Sequence, residues 1–284
     1  MSATVTPTPT TALPSGEKVP VLGQGTWTMG EDRSARKAEV AALRLGLDLG
    51  MTVIDTAEMY ADGGAERVAA EAIAGRRDEA FLISKVLPEH AARRATIAAC
   101  ERSLKRLKTD RIDLYLLHWR ETTPLEETLE AFLMLQRAGK IRHFGVSNFD
   151  LDDMTEWVGL EGGAAVAANE VMYNLNRRGI EFDLKRWCRR KAIAVIAYSP
   201  LDEGRLVRSR DLQRIAAGLG VSAAQLALAW LVRQPGVIAI PKAADAAHLR
   251  ENRAALDLRL SRLTLSALDR AFPPPRRKRA LETT

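Results

Sequence analysis

Apolar and polar positions fall into two alternating kinds of block along the chain. Short, densely apolar runs cover Leu22–Gly25, Thr52–Asp55, Phe81–Lys85, Ile112–Leu117, His143–Ser147, Ala167–Glu170, Ala192–Tyr198 and Val237–Pro241. Between them apolar residues recur every three or four positions, over Ala35–Leu49, Glu66–Ile73, Ala91–Leu107 and Ser261–Phe272. The first kind predicts strands and the second amphipathic helices. Two more helices are marked by their starts. Thr123-Pro124-Leu125-Glu126 reads as N-cap, first-turn proline and capping-box glutamate, and Ser222-Ala223-Ala224-Gln225 reads as another capped start.

Asp113-Leu114-Tyr115-Leu116-Leu117 and Ile193-Ala194-Val195-Ile196-Ala197 are apolar at successive positions. Strands buried on both faces of a helix-covered parallel sheet look like this. Eight strands alternating with helices over about 250 residues predict a (β/α)8 TIM barrel rather than a doubly wound sheet. The turn Pro14-Ser15-Gly16-Glu17-Lys18, lying between short extended pieces from Leu13 to Leu22, predicts an N-terminal β-hairpin at the barrel bottom. The expected organisation is a flexible Thr/Pro-rich leader over residues 1–12 and a single barrel domain over 13–284.

Composition narrows the class. The 284 residues are 46% hydrophobic and 27% charged, enough for a sizeable core. Cys100 and Cys188 are too few for a disulfide framework, so a reducing, cytoplasmic setting is expected. The leader has neither the basic nor the apolar region of a secretory signal. No stretch approaches the ~20 apolar residues of a membrane span. The net charge of +6 comes from scattered basic residues, apart from Arg276-Arg277-Lys278-Arg279 near the end. No nucleic-acid or membrane partner is expected, and the chain is read as a monomer or weak homo-oligomer.

Candidate chemistry sits where the strands end, the functional face of such a barrel. The second strand ends in Asp55 with Tyr60 five residues on, the third ends in Lys85, and the fourth delivers His118. Each alone has a plain explanation, as a turn cap, a packing phenol, a solvated strand end or a core imidazole. Together they bring an acid, a phenol, an ammonium and an imidazole to one rim, where a desolvated Lys beside an Asp is costly unless used. The ammonium is expected to lower the phenol pKa and make Tyr60 a proton donor near neutrality. Gly23-Gln24-Gly25 is not completed to G-x-G-x-x-G. G-x-S-x-G, H-E-x-x-H and the P-loop pattern are missing, and no metal is expected.

Seven blocks occur in one order: Gln24-Gly25-Thr26-Trp27, Ile54-Asp55-Thr56-Ala57-Glu58-Met59-Tyr60, Ile83-Ser84-Lys85-Val86, Leu117-His118-Trp119, Gly145-Val146-Ser147-Asn148-Phe149, Tyr198-Ser199-Pro200-Leu201 and Ile240-Pro241-Lys242-Ala243. With them the chain resembles the aldo/keto reductases over about residues 14 to 280, most nearly the bacterial, short-tailed aldehyde and methylglyoxal reductases. The resemblance implies NAD(P)H-dependent reduction of aldehydes and ketones. Tyr60 would be the general acid, Lys85 paired with Asp55 would tune it, and His118 would orient the carbonyl. It implies cofactor contacts at Thr26, Trp27, Asp55, Ser147, Asn148, Glu170, Tyr198, Ser199, Pro200, Leu201, Lys242, His248, Glu251 and Asn252. Trp27, Tyr60, His118 and Trp119, with Met59 and Arg120, would line the substrate pocket.

Three positions depart from the family pattern. Glu170 stands where a Gln is usual and can donate a hydrogen bond only if protonated. His248 replaces a phosphate-clamping Arg, and Ala243 replaces a Ser. Arg250 could compensate, so NADPH is the expected cofactor, with NADH as the alternative. The other functional class to weigh is a cofactor-binding regulatory protein on the same barrel with little turnover.

Overall fold

The computed structural model describes residues 8–283. Ten strands run in chain order: β1 (Thr10–Ala12), β2 (Lys18–Pro20), β3 (Gln24–Gly25), β4 (Val53–Asp55), β5 (Phe81–Val86), β6 (Ile112–Leu117), β7 (Ile141–Ser147), β8 (Ala168–Met172), β9 (Ala194–Tyr198) and β10 (Val237–Ala239). The helices are α1 (Arg36–Asp48), α2 (Gly64–Ala72), α3 (Arg93–Leu107), α4 (Leu125–Arg137), α5 (Leu151–Gly159), α6 (Leu184–Arg190), α7 (Arg210–Ala217), α8 (Ala223–Val232), α9 (Ala246–Ala254) and α10 (Arg262–Ala271).

Strands β3 to β10 form one sheet, every neighbouring pair parallel. Leu22 bridges Ala239 in parallel, and Gly23 N–H donates to Ala239 O while Ala239 N–H donates to Val21 O, each at 2.8 Å. These contacts join the two edges, so the sheet closes on itself as the (β/α)8 reading expects. Close strand approach explains two glycines, Gly23 against β4 and Gly25 against the closing edge. A Cβ on Gly23 would lie 2.6 Å from Val53 Cβ, and one on Gly25 would lie 2.8 Å from Ile240 O.

The antiparallel pair β1–β2 forms the expected hairpin. Its Leu13 and Val19 pack with Val53, Phe81, Ile83, Leu114 and Ile238 inside the barrel, so the hairpin plugs one end. Here the expected leader is corrected. Thr10–Ala12 pair with Lys18–Pro20, because the hairpin needs a partner strand. Residues 1–7 of that leader lie outside the described residues.

Helix starts follow local chemistry. Ser222 and Gln225 form the expected capping box of α8, and Ser261 caps α10. Thr123 does not cap α4: the N-cap is Pro124, whose extended ψ lets the helix begin one residue later. Helices α5, α6, α7 and α9 escape the apolar pattern. Helix α6 buries only Leu184 and Cys188, too few positions to show a period.

Candidate active site

Side chains along a barrel strand point alternately to the interior and to the helices. Val53, Ile83, Leu116, Ala168 and Ile196 belong to the interior cluster. Two residues further along each strand come Asp55, Lys85, His118, Glu170 and Tyr198. The same alternation that builds the core therefore carries five polar groups to one mouth.

Lys85 is the hub and is fully buried. Its Nζ lies 2.7 Å from both Asp55 oxygens, 3.1 Å from Thr56 O, and 3.3 Å from Tyr60 Oη and from Glu170 Oε1. Burial pulls an ammonium toward its neutral form, but Asp55 and Glu170 outweigh it and hold Lys85 protonated. Burial pushes Asp55 upward too, but its two short contacts with Lys85 pull it back, so of the two carboxyls it is the one better held as the anion. Burial and the adjacent Asp55 push Glu170 well above the usual carboxylate range.

Tyr60 differs from expectation. Lys85 does pull its pKa down, but burial, helped by Asp55 and Glu170, outweighs that pull and raises it. The phenol therefore keeps its proton throughout the physiological range. Its place is set by a tight turn: Tyr60 O accepts from Ala65 N–H, and Ala61, Asp62 and Gly63 that follow all take left-handed backbone.

Burial and the nearby Lys85 lower the His118 pKa to about 3, so the imidazole is neutral. Its Nδ1 is buried without a partner among the described residues. Ring contacts link Trp27 to Tyr60 (5.2 Å), Tyr60 to His118 (5.8 Å) and His118 to Trp119 (4.9 Å). Trp27 and Met59 are exposed.

Asn148 ties the mouth together. Its Nδ2 donates to His118 O and Ser147 Oγ, both at 3.1 Å, and its Oδ1 accepts from Tyr198 Oη at 2.8 Å. Asn148 and Ser199 both hold left-handed φ, at 59° and 46°. Such strain persists only where neighbours enforce it. Asn174 enforces the second by donating Nδ2 to Ser199 O at 2.9 Å. The sequence reading missed Asn174, since its role depends on a contact 25 residues away.

A cleft of about 440 Å³ opens over these groups, lined by Trp27, Asp55, Tyr60, His118, Ser147, Asn148, Glu170 and Tyr198, and onward by Ser199, Pro200, Leu201 and Lys242. A second hollow of about 400 Å³ shares Leu201 and Lys242 with it and reaches His248, Glu251 and Asn252. The two hollows adjoin at Leu201 and Lys242.

Five expected residues, Thr26, Met59, Trp119, Arg120 and Arg250, line neither hollow. Thr26 is fully buried and spends its N–H (3.0 Å) and its hydroxyl (2.9 Å) on Asp55 O, bracing the end of β4. Arg120 is engaged by Asp153 and Glu156 of α5 and anchors that helix. Arg250 is exposed and lines neither hollow. Trp119 packs on His118 and donates its indole N–H to Glu121.

Comparison with known proteins agrees with this geometry. Residues 21–272 match the Aldo/keto reductase family. The chain is 52% identical to methylglyoxal reductase YeaE of Escherichia coli over 93% of its own length and 95% of the relative's. It is 32% identical to glyoxal reductase of Bacillus subtilis, over 92% and 91% of the two chains. An aldo/keto reductase from Klebsiella pneumoniae, solved in complex with NADP and acetate, superposes with a TM-score of 0.95 at 50% identity, covering 98% of this chain and 100% of that one. By sequence, by fold and by the arrangement at the barrel mouth, the chain belongs to the aldo/keto reductase family.

Proposed function

We propose that this chain reduces small aldehydes, short α-oxoaldehydes such as methylglyoxal among them, to alcohols with NADPH. The observation that carries this reading is a pair of adjoining hollows that share Leu201 and Lys242. The first holds the Asp55, Tyr60 and His118 cluster over the buried Lys85, the exposed Lys242 stands where the two meet, and His248, Glu251 and Asn252 line the second. The relatives named above are called methylglyoxal and glyoxal reductases, and the Klebsiella structure holds NADP. These names favour turnover over a regulatory role on the same barrel.

The donor set fits a nicotinamide dinucleotide. Ser147, Asn148 and the unpartnered Glu170 Oε2 suit an amide, and the partly exposed Tyr198 offers an aromatic face. Lys242, with His248 nearby, suits a phosphate. The first amides of α9 are already taken by Asp245, so phosphate recognition rests on side chains. When bound, the cofactor supplies a hydride. The protein supplies the proton and the field. Tyr60 Oη holds the proton that the carbonyl oxygen must gain, and Lys85 placed 3.3 Å behind it stabilises the charge left on the phenol. Neutral His118 offers a donor that orients the carbonyl without releasing a proton of its own. The aromatic wall from Trp27 to His118 keeps water from the reacting carbon.

The finer expectations belong to the same proposal: a single barrel unit, a cytoplasmic setting, and a monomer or weak homo-oligomer that binds no nucleic acid. Among the described residues no helix is long and apolar enough to cross a membrane. Purified protein with NADPH should oxidise the cofactor on adding methylglyoxal, phenylglyoxal or p-nitrobenzaldehyde. If all three are left untouched, the reading fails.

A further inference from the structure

The mechanism uses one carboxylate at Lys85, and the barrel mouth holds two. Glu170 on β8 and Asp55 on β4 are both buried, and both face the same ammonium. Lys85 has three N–H donors. Five acceptors stand around it: both Asp55 oxygens at 2.7 Å, Thr56 O at 3.1 Å, and Tyr60 Oη and Glu170 Oε1 at 3.3 Å. Asp55 and Thr56 take the short contacts. Glu170 is left with one long contact to Lys85 through Oε1 and a carboxyl–carboxyl contact with Asp55 that only a shared proton makes favourable, while Oε2 has no other partner among the described residues.

Other groups around Glu170 cannot balance a second negative charge. Ser147 of β7 and Ile196 of β9 flank it in register. Tyr60 and the neutral His118 line the same cleft. One cation against two buried carboxylates leaves an uncompensated charge unless one of them holds a proton.

We infer that Glu170 is a carboxylic acid at neutral pH, its Oε2–H serving as a hydrogen-bond donor to an amide carbonyl of the bound cofactor, and that its ionisation at alkaline pH weakens cofactor binding. The inference rests on the oxidoreductase reading above for the identity of the ligand, but not for the proton. Burial and the neighbouring Asp55 both favour the protonated form. A Gln at this position would donate at every pH, whereas a Glu makes the site sensitive to alkali.

Two measurements test it. Infrared difference spectra of unmodified protein minus Glu170→Gln, recorded without cofactor near neutral pH, should show the carbonyl stretch of a protonated carboxylic acid. That band should fade as pH rises. NADPH titrations followed by tryptophan fluorescence, between about pH 6 and pH 10, should show the Kd of the unmodified protein rising by up to about tenfold per pH unit beyond the Glu170 ionisation, and this limb should be missing in Glu170→Gln. Absence of the infrared band overturns the inference, and so do parallel NADPH profiles in the two proteins. Failure of both proteins to bind NADPH would instead overturn the oxidoreductase reading, with the band still deciding whether Glu170 carries a proton.

Discussion

Tyr60 holds its proton more firmly than a phenol in water, because burial outweighs the pull of Lys85. Lys85 is therefore needed in the transition state, where the phenol is giving its proton away. His118 carries the complementary prediction. With its pKa lowered to about 3, the ring is neutral at every pH at which the protein works. A kcat/KM profile for the aldehyde should accordingly show no ionisation of His118 between about pH 5 and pH 8, against an ordinary value near 6.5. An acid limb in that range that vanishes in His118→Gln would contradict this. The same shift has a stability consequence. A histidine depressed in the folded state contributes stability above its unfolded pKa, and this is lost as pH falls from about 6.5 toward 3.

At this scale Asp55, Lys85 and His118 were legible because each stands at the end of an apolar run whose alternation fixes which way it points, while Tyr60 was legible only by its spacing after Asp55. The net pKa of Tyr60 was not legible: whether burial or the ammonium wins depends on how deeply the ring is enclosed. Nor were Asn174 and the bracing role of Thr26, which rest on contacts spanning 25 and 29 residues.

Among the elements, the interior-facing strands were read most faithfully. Ile112–Leu117 coincides with β6, and the other barrel strands shift at their ends by at most two residues. Short polar helices were lost. Helix α5 carried a usable sign, since Asp150 and Asp153 form a capping box with aspartate where glutamate is usual. Barrel closure is a property of elements as well. Gly25 pairs with Asp55 across the β3–β4 ladder, and a Cβ there would press on Ile240 O. Gly25→Ala should cost about 1–3 kcal/mol through overpacking. Gly159→Ala, whose added Cβ meets nothing within 4 Å, should be nearly neutral. Thermal melts of the two variants decide it, and equal melting temperatures would show that the closure tolerates more than this backbone suggests.

For the whole molecule, closing the sheet brings residues from β3 to β10 within reach of one groove, so a site spread over the chain becomes a single cleft. The net charge of +6 is accounted for only in small part by Lys242, which lines both hollows. Many other basic side chains lie in surface ion pairs such as Arg36–Glu71 and Arg76–Asp48, which are worth little individually. The central claim is that one barrel mouth separates holding the cofactor from delivering a proton. Tyr60→Phe tests this most directly, because it deletes the proton and keeps the ring beside Trp27 and His118. Methylglyoxal reduction and NADPH affinity should be measured on the same preparation of this variant. The account predicts that kcat falls by about 10²–10⁴-fold while the NADPH Kd is unchanged. Retained turnover would contradict it.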